Sequence, residues 1–280
     1  MSETPATYTA SNSGNPLQFA IYLARQAGEL IVHERANAEL GREYKNGNEL
    51  VTSADLKADQ LICDAITAEF PDHYILSEES SPSHGKVQEL DKPVWIIDPI
   101  DGTVNFSHDL KHSAISIAYA EQGNIVAAAV YNPFSDEMFS ASAGGGALLN
   151  GNPIEVAQET ELERAIIATG FPYDKSDMEP LIRRVRAVLN NCADIRRIGS
   201  AALDICYLAA GRLDGYYESL SIWDFAAAQL IAKEAGARFG HFSEVPEGID
   251  PQFHNEDILI ANPSLYPKLL TLLQSSSASN

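Results

Sequence analysis

The sequence predicts a mixed α+β and α/β fold in two lobes, and three features of its patterning carry that prediction. Two stretches near the amino end repeat apolar residues at helical spacing. The stretch from His112 to Asn150 alternates apolar and polar residues between turn dipeptides, and beyond Gly151 short apolar strands alternate with helical segments. With 280 residues, 45% of them hydrophobic, the chain has ample area for one large domain or two closely joined ones.

Met1 to Asn15 is rich in Ser, Thr, Asn and Ala with almost no large apolar residue, so a mobile tail is expected there, as over residues 274–280. An amino-terminal lobe is expected over residues 16–150 and a carboxy-terminal α/β lobe over residues 151–273. The first helix is predicted from Pro16 to about Leu40, with Leu17, Ala20, Ile21, Ala24, Ala27, Gly28 and Ile31 on one stripe. Leu56, Leu61, Ile62, Ala65, Ile66 and Phe70 mark a second helix, and Asp55 stands where it begins. Tyr74 to Ser77 is a short strand that delivers Glu78 and Glu79 at its end. Val94 to Ile97 is β-branched and aromatic, reads as a buried strand, and ends at Asp98. An antiparallel meander follows: Ala114 to Tyr119, Ile125 to Tyr131 and Glu137 to Ala141, parted by Gln122-Gly123-Asn124 and Asn132-Pro133. After Gly151 come strands at Ala165 to Thr169, Ile195 to Ile198, Gly215 to Glu218 and Ile258 to Ala261. Between them lie helices near Met178 to Asn190, Ala201 to Ala210 and Asp224 to Ala235.

The net charge of −20, with no Lys/Arg cluster beyond short pairs such as Arg183-Arg184 and Arg196-Arg197, argues against nucleic acid or an anionic membrane as partner. A small phosphorylated substrate stays open, because a bound cation reverses the local field. The three cysteines, Cys63, Cys192 and Cys206, lie far apart in apolar patterns, as buried thiols in a reducing compartment do. The amino terminus lacks a signal pattern and the longest apolar runs are strand-sized, so a cytoplasmic location is expected.

The chemistry concentrates in Trp95 to Phe106, WIIDPIDGTVNF. Pro99 has no N–H and a fixed φ, so it turns the chain and lets Asp98, the Ile100 carbonyl and Asp101 converge. Such convergence is repulsive unless a cation fills it, and oxygen donors without His or Cys suit Mg2+, Mn2+ or Ca2+. Gly102-Thr103 can open a helix whose free N–H groups bind a phosphate oxygen. Taken alone, Asp-Pro and Asp-Gly are common turn formers. The balance shifts because Glu78-Glu79 and Trp223-Asp224 also place acids at element termini. His108 and His112 carry no His/Cys ligand spacing and read as loop or supporting histidines, and Gly144-Gly145-Gly146 reads as a turn.

Together, ELVTSAD (Glu49 to Asp55), SEES (Ser77 to Ser80), WIIDPIDGTVNF, GSAALD (Gly199 to Asp204) and WDFAAAQLIAKEAGA (Trp223 to Ala237) resemble the inositol monophosphatase family of Mg2+-dependent, lithium-sensitive phosphatases, in the family's order and nearly its spacing. The resemblance implies a layered αβαβα sandwich, a homodimer and two or three Mg2+ ions, with Mn2+ a substitute. It implies that Glu78, Asp98 and the Ile100 carbonyl hold one ion, and that Asp98, Asp101 and Asp224 hold a second, with Glu78 also near a third. It gives Asp55 and Thr103 the task of orienting and deprotonating the attacking water, with Glu78 among the catalytic residues. Asp101, Gly102, Thr103, Gly199, Ser200, the Ala201 amide, Glu218 and Asp224 become substrate contacts. Apart from the resemblance, Asp55 reads first as a helix cap, and Ser200 is readable as one too.

The resemblance implies myo-inositol 1-phosphate as leading substrate. Fructose 1,6-bisphosphate, histidinol phosphate, NADP(H) or 3′-phosphoadenosine 5′-phosphate are alternatives, and an interaction scaffold with incidental activity is the non-enzymatic one. The chain departs from the family pattern between Glu218 and Asp224, which are one residue closer than usual, leaving polyol recognition less determined than metal binding. Smaller departures are Glu49 for Asp, and Ala228 and Ala237 where Gly is frequent.

Overall fold

The computed structural model describes residues 14–37, 41–45, 49–80, 92–173 and 175–277. The tail expected at the amino end lies outside the described residues up to residue 13, as does the side chain of Glu49. Asn15, which the tail was expected to include, instead caps the first helix, its Oδ1 accepting from the Gln18 N–H at 3.2 Å.

In chain order the elements are α1 (Pro16–Asn37), β1 (Arg42–Lys45), β2 (Glu49–Thr52), α2 (Ser53–Glu69), β3 (Tyr74–Ser77), β4 (Val94–Asp101) and α3 (Thr103–Ser107). The meander follows as β5 (Ala114–Glu121), β6 (Asn124–Asn132), β7 (Glu137–Ser142), β8 (Ala147–Leu149) and β9 (Asn152–Ile154). The second lobe adds β10 (Ile166–Thr169), α4 (Glu179–Asn191), β11 (Asp194–Arg196), α5 (Ala201–Ala209), β12 (Gly215–Glu218), α6 (Ile222–Glu234), β13 (Arg238–His241), β14 (Ile258–Ala261) and α7 (Tyr266–Ser277).

Among the described residues, one sheet has seven strands in the order β3-β4-β5-β6-β7-β8-β9, and another has five in the order β11-β10-β12-β14-β13. β3 runs parallel to β4 and the rest of the larger sheet is antiparallel. β4 explains the layering. Trp95 and Ile97 enter one core with Phe19, Leu23, Ile31, Ile62 and Ile66 of α1 and α2, while Val94 and Ile96 enter another with α5 and α6. A strand buried on both faces needs an apolar residue at every position rather than at alternate ones, which is why VWII is an unbroken apolar run. The second core also takes Tyr216, Ala168 and Ile260 from the smaller sheet; that sheet's far side packs Ile167, Tyr217 and Leu259 against Val188 of α4 and Leu265, Leu269 and Leu273 at the end of the chain. The result is a five-layered αβαβα sandwich.

Trp95 is fully buried, with ring centroids 5.9 Å from Phe19 and 4.9 Å from Tyr119. Truncating such a residue to alanine typically costs about 3–5 kcal/mol.

Four sequence expectations are corrected. β4 does not stop at Asp98 but continues to Asp101 through an irregularity. The larger sheet continues past Gly151, because β9 closes on β8 with Ala147 opposite Ile154. The last helix runs through Ser277 rather than giving way to a tail at Gln274: Leu269 and Leu273 anchor it, and the Ser275 and Ser276 hydroxyls bond back to the Leu272 and Leu273 carbonyls. Of the three thiols, Cys192 and Cys206 are buried, but Cys63 is half-buried. No helix among the described residues is long and apolar enough to cross a membrane.

Candidate active site and metal centre

The irregularity in β4 makes the site. Asp98 pairs with Ser116 and Asp101 with Ala114, so three steps along β4 oppose two along β5. In a regular strand, residues an odd number apart face opposite sides; the extra residue of the bulge brings Asp98 and Asp101 to the same side. Pro99 fits there because a bulge tolerates a missing donor. The loop is tightened by the Ile100 N–H, which donates to Asp98 Oδ1 at 2.9 Å. Glu78 follows β3, and its N–H continues the parallel pairing to the Ile97 carbonyl at 3.2 Å, which sets it beside Asp98.

Asp224 arrives from α6 as the third residue of a capping box, its Oδ2 accepting from the Ser221 N–H at 2.9 Å. Carboxylate oxygens of Asp98, Asp101 and Asp224 lie within 4.8 Å of one another. Burial, and then the charges of Glu78, Asp101 and Asp224, hold Asp98 well above the ordinary carboxylate range. Asp224 is likewise well raised by burial, Asp101 and Glu78. Asp101 rises to about 6, chiefly through burial, against the lowering effect of two hydrogen bonds. Those bonds, from Ser200 Oγ at 2.5 Å and the Ala202 N–H at 2.7 Å, both end on Asp101 Oδ2, leaving Oδ1 free of them. An all-oxygen set whose members resist ionising together fits a hard divalent cation, which would reverse that penalty.

Thr103 opens α3 behind Gly102, whose φ of 90° is left-handed. A Cβ at Gly102 would stand 3.0 Å from both the Gly199 and His112 carbonyl oxygens, so this turn requires glycine for conformation and for space. Thr103 Oγ1 lies 2.9 Å from Asp55 Oδ1 and 3.0 Å from the Ile100 carbonyl, sharing one proton between two acceptors. Asp55 Oδ2 accepts from the Thr52 N–H at 2.9 Å and from Thr52 Oγ1 at 2.5 Å. Thr52 is therefore the cap of α2, and Asp55 is the third residue of a capping box rather than the cap itself. One oxygen serves the helix and the other faces Thr103, so capping and a place in the site are compatible. Burial raises the Asp55 carboxyl.

Across the cleft, Ser200 caps α5 through the Leu203 N–H at 3.3 Å, and Gly199 and Ala201 line the same space. Glu218, at the end of β12, lines it too; the Tyr216 hydroxyl donates to its Oε2, and burial pushes its carboxyl up to about 7. The Glu218–Asp224 connection keeps both acids in the cleft. It is tied down by the Leu220 N–H to the Asn255 carbonyl at 2.9 Å, and the Ser219 hydroxyl accepts from the Asp257 N–H at 2.9 Å. All residues predicted from the motifs except Asp55 line one cleft of about 420 Å³, and Asp55 stands directly behind Thr103.

Several lining residues escaped prediction. Asp204, inside GSAALD, bonds His112 Nε2 at 3.0 Å, which gives His112 the supporting place expected of it. Asn105 Nδ2 donates to both the His112 and Ile198 carbonyls at 2.8 Å, joining α3 to the turn before α5. Thr169, Gly170, Phe171, Tyr173 and Arg197 form the outer wall. Of these, only the Arg196-Arg197 pair carried a signal, as a local excess of positive charge in an acidic chain. His108 does not line the cleft, and the glycine turn at 144–146 instead donates two N–H groups, at 2.8 Å each, to Glu234.

Comparison with known proteins places the chain in a family. A model of the inositol monophosphatase family matches residues 15–278. The Nus factor SuhB of Vibrio cholerae is 44% identical over 224 residues, covering 79% of this chain and 83% of that protein. The crystal structure of the extragenic suppressor protein suhB of Bartonella henselae superposes with a TM-score of 0.83 at 35% identity, covering 92% and 97% of the two chains. An inositol monophosphatase of Anabaena superposes with a TM-score of 0.80 at 31% identity, covering 92% and 95%. The chain belongs to the inositol monophosphatase family.

Proposed function

We propose that this member of the inositol monophosphatase family is a Mg2+-dependent phosphatase of small polyol or sugar phosphate monoesters, with myo-inositol 1-phosphate as leading substrate. The observation that carries the reading is the convergence of Asp98, Asp101 and Asp224 within 4.8 Å at the floor of a cleft also lined by Glu78. Glu78, Asp98, Asp101, Asp224 and the Ile100 carbonyl would hold the cations, with Asp98 central to them. When bound, Mg2+ supplies Lewis acidity to the phosphoryl oxygens and to the attacking water.

The rest of the mechanism belongs to the chain. Thr103 Oγ1 accepts a hydrogen bond from the attacking water and passes its own proton toward Asp55 Oδ1, and the raised carboxyl of Asp55 makes it a better base. Gly102, Thr103 and the helix start at Ser200-Ala201 hold the phosphate. Asp101 is fixed by Ser200 and Ala202, so it does not swing when substrate enters. At the far end Glu218 accepts from a substrate hydroxyl, with Tyr216 fixing its other oxygen.

Phosphate release from a panel of monophosphates, with and without Mg2+ and Li+, tests the reading, with Asp98→Asn as control. Turnover of at least one polyol phosphate that needs Mg2+ and fails in the control is expected. No turnover of any substrate in Mg2+ would sink it. The Nus factor name carried by relatives supports a second reading, in which the fold serves chiefly as a scaffold. A cellular phenotype fully retained by a folded, inactive Asp98→Asn variant would favour that reading.

A further inference from the structure

We infer that Arg197 is a specificity-determining residue that pairs with a second anionic group of the substrate, a phosphate or a carboxylate distinct from the ester being cleaved. This rests on the phosphatase reading above and shifts its substrate from neutral polyol phosphates such as myo-inositol 1-phosphate toward esters that carry a second charge.

Six acids line the described part of the cleft, Glu78, Asp98, Asp101, Asp204, Glu218 and Asp224, and Arg197 is the one Lys or Arg side chain among them. In a chain of net charge −20 a cation in that position is expected to be tied to a neighbouring carboxylate. It is not: the ion pairs among the described residues include Arg196 with Asp194 but none of Arg197. Its charge reaches Glu218 and Asp204 only through space. The guanidinium is held by an aromatic face instead, 5.4 Å from the Phe171 ring centroid, and Phe171 is itself a lining residue left 41% exposed. A cation–π contact holds the charge near the ring without using its N–H donors, none of which has a hydrogen-bond acceptor among the described residues, and such donors suit an incoming carboxylate or phosphate.

Position supports the same role. A Cβ on Gly199 would lie 2.6 Å from an Arg197 terminal nitrogen, while a Cβ on Gly102 would lie 3.0 Å from the Gly199 carbonyl oxygen. Arg197, Gly199 and Gly102 are thus successive contacts leading from the outer wall to the phosphate-holding turn. A monoester seated at Gly102 and Thr103 carries the remainder of its molecule past Gly199 toward the guanidinium. A neutral polyol would leave that donor set in water, whereas an anionic substituent would satisfy it. The cation-filled floor handles the first phosphate and Arg197 the second charge, so the acidity of the wall does not forbid a doubly anionic substrate.

The test uses the full chain in Mg2+ with two pairs of compounds. Calorimetric dissociation constants are compared for phosphonopropionate and propylphosphonate, which differ by one carboxylate and are not hydrolysed. Values of kcat/KM for release of the 1-phosphate are compared for fructose 1,6-bisphosphate and fructose 1-phosphate, which differ by the second phosphate. The parent is expected to prefer the second anion in at least one pair by about tenfold or more. Arg197→Gln should reduce that preference at least about tenfold, Arg197→Lys should keep part of it, and the preference should weaken as salt rises. Preference for the carboxylate alone or the phosphate alone assigns the second anion to that source. The inference is overturned if the parent shows no preference in either pair, or if Arg197→Gln leaves the preference within about twofold of the parent. Because the phosphonates need no turnover, loss of all hydrolysis would refute the phosphatase reading while the binding arm still decides the role of Arg197.

Discussion

Replacing Glu218 by glutamine probes the charge at the substrate end of the cleft. Burial raises the Glu218 carboxyl from 4.5 to about 7, against lowering by the Tyr216 hydroxyl and the Arg197 charge. An acid raised on folding leaves stability undiminished while it is protonated in both states, below pH 4.5, and takes stability away as pH climbs to about 7. The separation corresponds to about 3 kcal/mol as an upper figure, and to about 2 kcal/mol once solvent reaching the open cleft is allowed for. Glutamine keeps the carbonyl that accepts from Tyr216 but does not titrate. Glu218→Gln should therefore exceed the parent by about 2 kcal/mol near pH 8 and match it within about 0.5 kcal/mol near pH 4. Urea unfolding across that range in metal-free buffer, where the other raised acids titrate alike in parent and variant, measures both. A stability difference that does not change with pH would refute the reasoning. The same titration should appear in function, with the parent's KM for a polyol phosphate falling as pH rises through about 7 and the variant losing that dependence.

Mg2+ should stabilise the chain by about 2.7 kcal/mol at a hundredfold excess over its dissociation constant, and Asp224→Asn should remove most of that gain in thermal unfolding. Thr103→Ala should lower kcat by about a hundredfold or more while Thr103→Ser restores most of it. An alanine variant within about fivefold of the parent would remove Thr103 from the water-activating pair. Gly102→Ala should cost at least about 2 kcal/mol in denaturant unfolding, because φ is 90° and its Cβ would meet two backbone carbonyl oxygens at 3.0 Å.

The regular elements were legible because their signals are local. The α1 stripe, the α2 stripe apart from Leu56, which is exposed, the meander with its turn dipeptides, and β12 and β14 to the residue follow from period and punctuation over a few residues. The short strands β8, β9 and β13 were not, since three or four residues do not fix a period and their pairing depends on neighbours from elsewhere in the chain. Residue type and motif order singled out the acids, but the motif alone also allowed a plain turn. The Asp55 carboxylate shows why: its capping and its contact with Thr103 use different oxygens, and only the approach of α3 to α2 makes the second contact.

By itself the sequence determined which residues can do the chemistry: hard oxygen ligands at strand and helix ends, a glycine that permits a left-handed turn, a hydroxyl beside it. The tertiary structure decided which of them meet. The β4 bulge turns Asp98 and Asp101 to one side, and the packing of α6 against the sheet brings Asp224 to them from a distant part of the chain. The same packing sets Arg197 against Phe171, without an ion-pair partner among the described residues, in the cleft that the acids line. The physical reason is range: backbone preference and apolar period act over a few residues, whereas convergence of charges depends on how layers pack and in which register strands pair.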